Sequence, residues 1–240
     1  MAKQKSNQEL KTQNHNRDIN FKNHPIKIAV MIDGGFFVKR YNHNWNKNRQ
    51  HTPKEVADNL YTIAHSHIGR ENFLYRIFYY DCLPLEKRVH HPISNRCVVF
   101  EKNPEALFRK EIIEHLKEKR KLALRLGELK DTGKWFIKAH HTKSLISGEM
   151  KISDLTEDDL FYEMRQKSID MKIGVDIASL ALKRFVDKIV LISGDSDFVP
   201  AAKLARREGI DFVLDPMGAN VDKMLFEHID GLKHSKLYLK

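Results

Sequence analysis

The stretch KIVLISGDSDFVPAAKLARREGI, Lys188–Ile210, carries the reading of the fold. Ile189–Ile192 is a short, nearly continuous apolar run, as expected of a strand buried on both faces. Gly194 turns the chain sharply, and Asp195 and Asp197 follow at once. DFVPAAKLARREG then has helical spacing and ends at Gly209, and IDFVLDP reads as a further strand stopped by Pro216. A buried strand that empties into paired carboxylates and then a helix is the β–turn–α unit of a parallel sheet. Ligands of such sheets bind beyond the carboxyl ends of the strands.

The same grammar recurs upstream. IKIAVMID, Ile26–Asp33, is an apolar run ending in Asp33, followed by GGFF as a turn into a short helix. TPKEVADNLYTIAHSHIG reads as a helix with Thr52 as cap, Pro53 at its first position, Glu55 three residues after Thr52 and Gly69 at its end. NFLYRIFYYD is an aromatic-rich strand ending at Asp81. NPEALFRKEIIEHLKEKRKLALRL, Asn103–Leu126, reads as one long basic helix. GELKDTGKWFIKAH reads as one or two short strands about a turn at Asp131–Gly133. GVDIASLALKRFV is a helix opened by Asp176, and NVDKMLFEHID a last short helix. Strands alternating with helices predict an α/β fold with a mainly parallel central sheet flanked by helices. Residues 1–24, rich in Lys, Asn and Gln with few apolar anchors, read as a flexible basic tail; residues 25–240 read as one domain, with extra chain at about 84–167.

The chain has 240 residues and a net charge of +10, a balance that favours polyanions, nucleic acid first among them. No apolar run approaches the roughly 20 residues of a membrane span, the N-terminus lacks the apolar core of a secretory signal, and Cys82 and Cys97 form no metal-knuckle spacing. A reduced cytoplasm and no membrane partner are the simple expectation. Thirteen histidines include no zinc-ligand spacing.

Asp33, Asp176, Asp195 and Asp197 are thus expected near one edge of the sheet. Gathering four carboxylates is unfavourable without a counter-charge, and hard oxygen donors suit Mg²⁺ or Mn²⁺. Asp197 and Asp176 also read as plain helix caps, and Asp33 as a turn residue; the co-occurrence favours a site. Ser193 and Ser196 offer hydroxyls beside it, and Gly34 and Gly35 leave room next to Asp33. Lys172, four residues before Asp176, reaches either a phosphate or solvent. Lys117, Arg120 and Lys121 read either as a phosphate-contacting helix face or as a solvated one. Tyr79, Tyr80 and Trp135 read as base-stacking candidates or core.

The blocks IAVMIDGGFF, KIGVDIASLAL and VDKIVLISGDSDFVPAAKLARREGIDFVL resemble the signatures of the NYN domain, in the LabA-like branch of the PIN-like nucleases. YRIFYYDCLP and MLFEHIDGL resemble that family's second strand and terminal helix, so the likeness runs from about Ile26 to Leu232. It implies a PIN-like three-layer fold and a metal-dependent ribonuclease, with the family's acidic positions falling on Asp33, Asp176, Asp195 and Asp197. It implies RNA as substrate and suggests a homodimer. Phe36 stands where many members carry Asn, the helix after GVD lacks a further Asp, and the chain at 84–167 exceeds the minimal domain. Two other readings remain at this stage. One is a non-catalytic RNA-binding or scaffold protein. The other is a phosphatase of the haloacid-dehalogenase type, opposed by Gly35 where that chemistry needs a second Asp two residues after the first.

Overall fold

The structure, a computed structural model, describes residues 25–46 and 49–235. The expected basic tail lies outside the described residues. β1 (Lys27–Asp33) is the centre of the fold. Ile28, Val30 and Ile32 point into one apolar core and Ala29 and Met31 into another, all but inaccessible, so the run is apolar because both of its faces are covered. β1 leads into α1 (Gly34–Trp45) and α2 (Pro53–Ser66), then β2 (Phe73–Cys82). A short antiparallel hairpin follows, β3 (Arg88–His90) with β4 (Cys97–Val99). α3 (Pro104–Lys117), β5 (Leu122–Ile137), α4 (Ala139–Ser147) and β6 (Leu160–Lys167) come next. α5 (Ile169–Leu182), β7 (Lys188–Ile192), α6 (Val199–Arg207), β8 (Asp211–Asp215), α7 (Lys223–Phe226) and β9 (Gly231–Leu232) complete the described chain.

These strands build a seven-stranded sheet in the order β6-β5-β2-β1-β7-β8-β9. All neighbours pair in parallel except β5 with β6. Chain order runs outward from β1 through β2 to β5 on one side, and from β7 through β8 to β9 on the other. The order therefore reverses between β1 and β7, where a crevice opens at the carboxyl ends of the strands. α1, α2 and α3 pack on one face of the sheet and α5, α6 and α7 on the other, giving the expected three-layer α/β fold.

Local sequence accounts for several boundaries. The Thr52 side chain accepts from the Glu55 N–H (3.3 Å) while Glu55 accepts from the Thr52 N–H (2.8 Å), with Pro53 in the first turn. Thr52→Ala is expected to cost about 1 kcal/mol, read as a fall of roughly 2–4 °C in melting temperature.

Several expectations are corrected. The long basic helix stops at Lys117; Lys121 takes a positive φ of 59°, and Leu122, Leu124 and Leu126 then alternate into the core as a strand. In GELKDTGKWFIKAH the expected one or two short strands are instead the outer part of β5, which runs to Ile137 through an irregularity between Asp131 and Trp135, and Ala139 and His140 open α4. Asp176 does not open its helix, which begins at Ile169 and places Asp176 in its middle. Nor is 84–167 a single excursion: α3 and Leu122–Gly127 belong to the central fold, and only the β3–β4 hairpin and residues beyond Gly127 leave it. α7 is a single turn, shorter than its sequence suggests.

Candidate metal and phosphate site

β1 and β7 are adjacent and in register, Ile32 opposite Ile192, so Asp33 and the loop after Ser193 meet at the crevice. Asp33 caps α1 by accepting from the Phe36 N–H (3.1 Å), and the Ser193 hydroxyl donates to its second oxygen (3.4 Å). Ser193 is fully buried and also accepts from the Asp195 N–H (3.3 Å), tying the two strand ends together. Asp195 accepts from the Asp197 N–H (2.9 Å), and buried Phe198 anchors the loop so that Asp195, Ser196 and Asp197 stay exposed.

Two glycines make this approach possible. A Cβ at Gly34 would lie 2.6 Å from the Tyr79 hydroxyl and 2.7 Å from the Tyr80 carbonyl. A Cβ at Gly194 would lie 2.7 Å from the Phe36 ring. Phe36 therefore packs over the turn that carries the paired aspartates, and any side chain at 194 would displace it.

The structure brings Asp33, Asp195 and Asp197 to one edge and adds Asp170, in the first turn of α5. Burial pushes the Asp33 carboxyl above its ordinary value; the Phe36 N–H opposes this, and the negative charges of Asp170 and Asp81 push it further up. Asp170 is raised by partial burial and by the charges of Asp195 and Asp197. Asp176 stands six residues further down α5, about 9 Å along the axis. Its carboxylate accepts from the Tyr80 hydroxyl (2.8 Å) and from Arg125 Nε (3.0 Å).

The edge carries other aspartates, and their partners sort them. Asp81, buried at the end of β2, accepts from the Tyr79 hydroxyl and the Cys82 N–H and pairs with Arg109. Asp215, at the end of β8, is buried against His67. Asp176 has Arg125. Asp33, Asp170, Asp195 and Asp197 have no cationic partner among the described residues, and two of them are held above their ordinary pKa by burial and mutual repulsion. Such an all-oxygen, negatively charged group fits a hard divalent cation. Among the described residues no three His, Cys, Asp or Glu side chains converge to hold one ion. The fit is therefore to an ion that takes one or two carboxylates and keeps waters, the habit of Mg²⁺, and not to a closed protein cage.

The remaining sequence candidates fall in different places. Lys172 donates to the Leu126 carbonyl (2.5 Å) and, with Arg125, Ser168 and Asp176, lines an open cleft of about 380 Å³ beside α5. Lys117, Arg120 and Lys121 lie where β5 begins, at the amino edge of the sheet, opposite the carboxylates. There Lys117 pairs with Glu114 (2.7 Å), and Lys121 donates to the Leu74 carbonyl (2.6 Å) and sits 3.7 Å from the centre of the Phe73 ring. The helix face on which the three were expected, phosphate-contacting or solvated, does not form, since Arg120 and Lys121 lie beyond the end of α3. Tyr79 and Tyr80 are core side chains, and Trp135 packs on His91 and Tyr162. The sequence reading missed Asp170, whose signal was its spacing of one helical turn or more ahead of Asp176 on a helix starting earlier than expected.

Fold and carboxylate edge together define a three-layer α/β protein whose mainly parallel sheet is consistent with a PIN-like fold. The family model of the NYN domain matches residues 109–221, just under half of the chain. The matched stretch holds Asp170, Asp176, Asp195 and Asp197, while Asp33 precedes it. The family points to a nuclease-type function. No curated protein sequence matches the chain. Among solved structures, it is similar to a protein of unknown function from Vibrio parahaemolyticus RIMD 2210633, at 13% identity over 88% of this chain and 93% of that one, with a TM-score of 0.45.

Proposed function

We propose that the protein is a metal-dependent endoribonuclease that hydrolyses RNA phosphodiester bonds, with Mg²⁺ or Mn²⁺ at the β1–β7 crevice. The observation that supports this most is the meeting of Asp33 and Asp195 through Ser193, beside Asp170 and Asp197, with no side-chain cation to balance them among the described residues. When bound, the ion supplies positive charge for the developing phosphorane and an activated water. Asp33 is the fixed ligand, its rotamer set by the Phe36 N–H and the Ser193 hydroxyl. Asp195 and Asp197 are exposed on a loop stiffened by their own hydrogen bond, and one of the two would be the second carboxylate ligand. Asp170 orients water from the start of α5. Asp176 is a positioning residue that holds Tyr80 and Arg125, and Arg125 and Lys172 give the adjoining cleft its positive charge for a phosphate. The Ser196 hydroxyl is exposed beside them for a further phosphate oxygen.

Cleavage of RNA by the whole chain is expected to need Mn²⁺ or Mg²⁺ and to stop with chelator. Mn²⁺ alone is expected to raise the melting temperature, because an ion that binds only the folded state stabilises it. The failure of three carboxylates to converge among the described residues favours, as second reading, an RNA-binding protein without catalysis. RNA binding with no cleavage and no thermal shift by Mn²⁺ would decide for that reading.

A further inference from the structure

Beyond Gly127, β5 continues with β6 as a two-stranded ribbon that leaves the sheet at its carboxyl edge. Its register, Glu128 with Lys167, Lys130 with Arg165, Trp135 with Tyr162 and Phe136 with Phe161, sorts its side chains onto two faces. One face is covered. Trp135 packs on Tyr162 and His91, Phe100 on Tyr162, and Lys87 donates to Asp131 (2.8 Å) and to the Tyr162 hydroxyl (3.1 Å). The other face is open. Phe136 and Phe161 stack on one another, ring centres 5.9 Å apart and planes at 26°, yet are 41% and 46% exposed.

On that open face Lys130 and Lys167 lie against each other. Arg165 is neutralised by Glu163 (2.6 Å), whereas neither lysine has an ion-pair partner among the described residues, and Glu128 is the one other carboxylate on the face. The contact with Lys130 holds Lys167 below the usual lysine range. Lys130 stands directly opposite Arg165 and diagonal to Lys167, whose own opposite residue is Glu128, so Lys130, Arg165 and Lys167 leave the face a positive excess over Glu128 and Glu163 that suits an anion. Lys167 is three residues before Asp170, and from Phe161 to Lys167 the strand spans about 20 Å. Aromatic rings, then bare cations, then the carboxylate cluster therefore follow one another along β6 into α5.

We propose that the open face of the β5–β6 ribbon is a docking platform for single-stranded RNA, stacking bases on Phe136 and Phe161 and holding phosphates with Lys130 and Lys167 as the strand approaches Asp170. This rests on the ribonuclease reading for its substrate and adds where that substrate lies. Stacking on rings beside a basic track is the way single strands are held without regard to sequence. The charge separates this partner from a second copy of the chain, which is itself strongly positive.

The test measures binding of a labelled single-stranded oligouridine to the whole chain by fluorescence anisotropy, with divalent ions chelated so that nothing is cleaved. F136A/F161A is expected to weaken binding about tenfold for each base that stacks. K130A/K167A is expected to lower the salt slope of log affinity by about 1.4, some 0.7 for each phosphate that no longer meets a lysine. All four side chains are exposed, so both variants are expected to melt with the wild type. Wild-type affinity and slope in both variants, or no binding by the wild type, would overturn the proposal. Dissociation of a dimer by F136A/F161A in sedimentation, with RNA affinity unchanged, would overturn it in favour of self-association. RNA binding lost in the variants, with no cleavage by the wild type in Mn²⁺, would sink the nuclease reading and leave the platform standing.

Discussion

Asp195→Asn protein is expected to fold like the wild type and to lose RNA cleavage by roughly a hundredfold or more, since a metal's contribution to such a reaction is several kcal/mol and about 3 kcal/mol is a hundredfold. The side chain is exposed and keeps its acceptor for the Asp197 N–H, so little of the fold depends on its charge. Asp33→Asn is expected to lose cleavage too, but with a gain in stability at neutral pH. The folded protein holds the Asp33 proton more tightly than the unfolded chain, because burial, Asp170 and Asp81 disfavour the anion. Stability therefore falls as pH rises from the ordinary 3.8 through the raised value, and the full penalty is present at neutral pH. Asn removes the charge and still caps α1. The expected rise, on the order of 1 kcal/mol or about 2–4 °C, should vanish below pH 3.8, where both states are protonated. A lower melting temperature at neutral pH, or undiminished cleavage by folded Asp195→Asn, would remove these carboxylates from the site.

That two aspartates so close in space differ in energetic role was not legible from the chain. The sequence marks strand ends well: VMID, FYYD and VLISGDSD each pair an apolar run with a carboxylate, and the structure puts all three at one edge. Period-two burial at both faces made the parallel sheet readable, and the Thr52–Glu55 box and Asn103–Pro104 made two helix starts readable. Strand-end position alone cannot separate a carboxylate with a cation beside it from one without. Asp81 meets Arg109 from α3, and Asp215 meets His67 from the end of α2, across separations of 28 and 148 residues. Those pairings are tertiary, and only they leave Asp33 and Asp195 as the unneutralised members.

The misreadings have two physical sources, propensity overridden by burial and a helix start without a cap. KEKRKLALRL has helix-favouring residues throughout, and propensity reads it as helix; its leucines alternate, and burial against β2 decides for strand. The same error put Arg120 and Lys121 on a helix face, whereas they sit in the turn between α3 and β5. Asp176 was placed at a helix start for want of a signal at Ser168, which enters the helix with φ of 72° and no side-chain cap. The sequence offered the excess chain but not its use, since the open face of the ribbon is defined only by the pairing of β5 with β6.

The largest stability effect is expected beside the site and not in it, at Asp215, which pairs with Ile192 at the end of β8. It is fully buried, and its carboxylate accepts from the N–H groups of Met217 (2.8 Å) and Ser235 (3.2 Å), from the Ser235 hydroxyl and from His67 Nε2 (2.9 Å). These bonds pin the chain after β9 and the end of α2 to the end of β8. Burial pushes the carboxyl up, but hydrogen bonds from His67 and Ser235 outweigh it and hold Asp215 below its ordinary 3.8. A carboxyl depressed in the folded state contributes stability that is present above 3.8 and is lost as pH falls through its folded value. Removing it leaves several buried donors without an acceptor, each costly in an apolar interior. Asp215→Ala is expected to lose about 3–5 kcal/mol, or some 6–20 °C in melting temperature for a chain of this size. Asp215→Asn keeps the shape but meets His67 and three other donors with one acceptor oxygen, and should fall between the two. Because Ser193 and Asp33 share no bond with this cluster, the order of losses for cleavage should be the reverse. Asp215→Asn should keep Mn²⁺-dependent cleavage at temperatures where it is folded, whereas Asp33→Asn should lose it while melting higher. An Asp215→Ala protein as stable as the wild type at neutral pH would show that the buried His67–Asp215–Ser235 cluster contributes nothing to the fold.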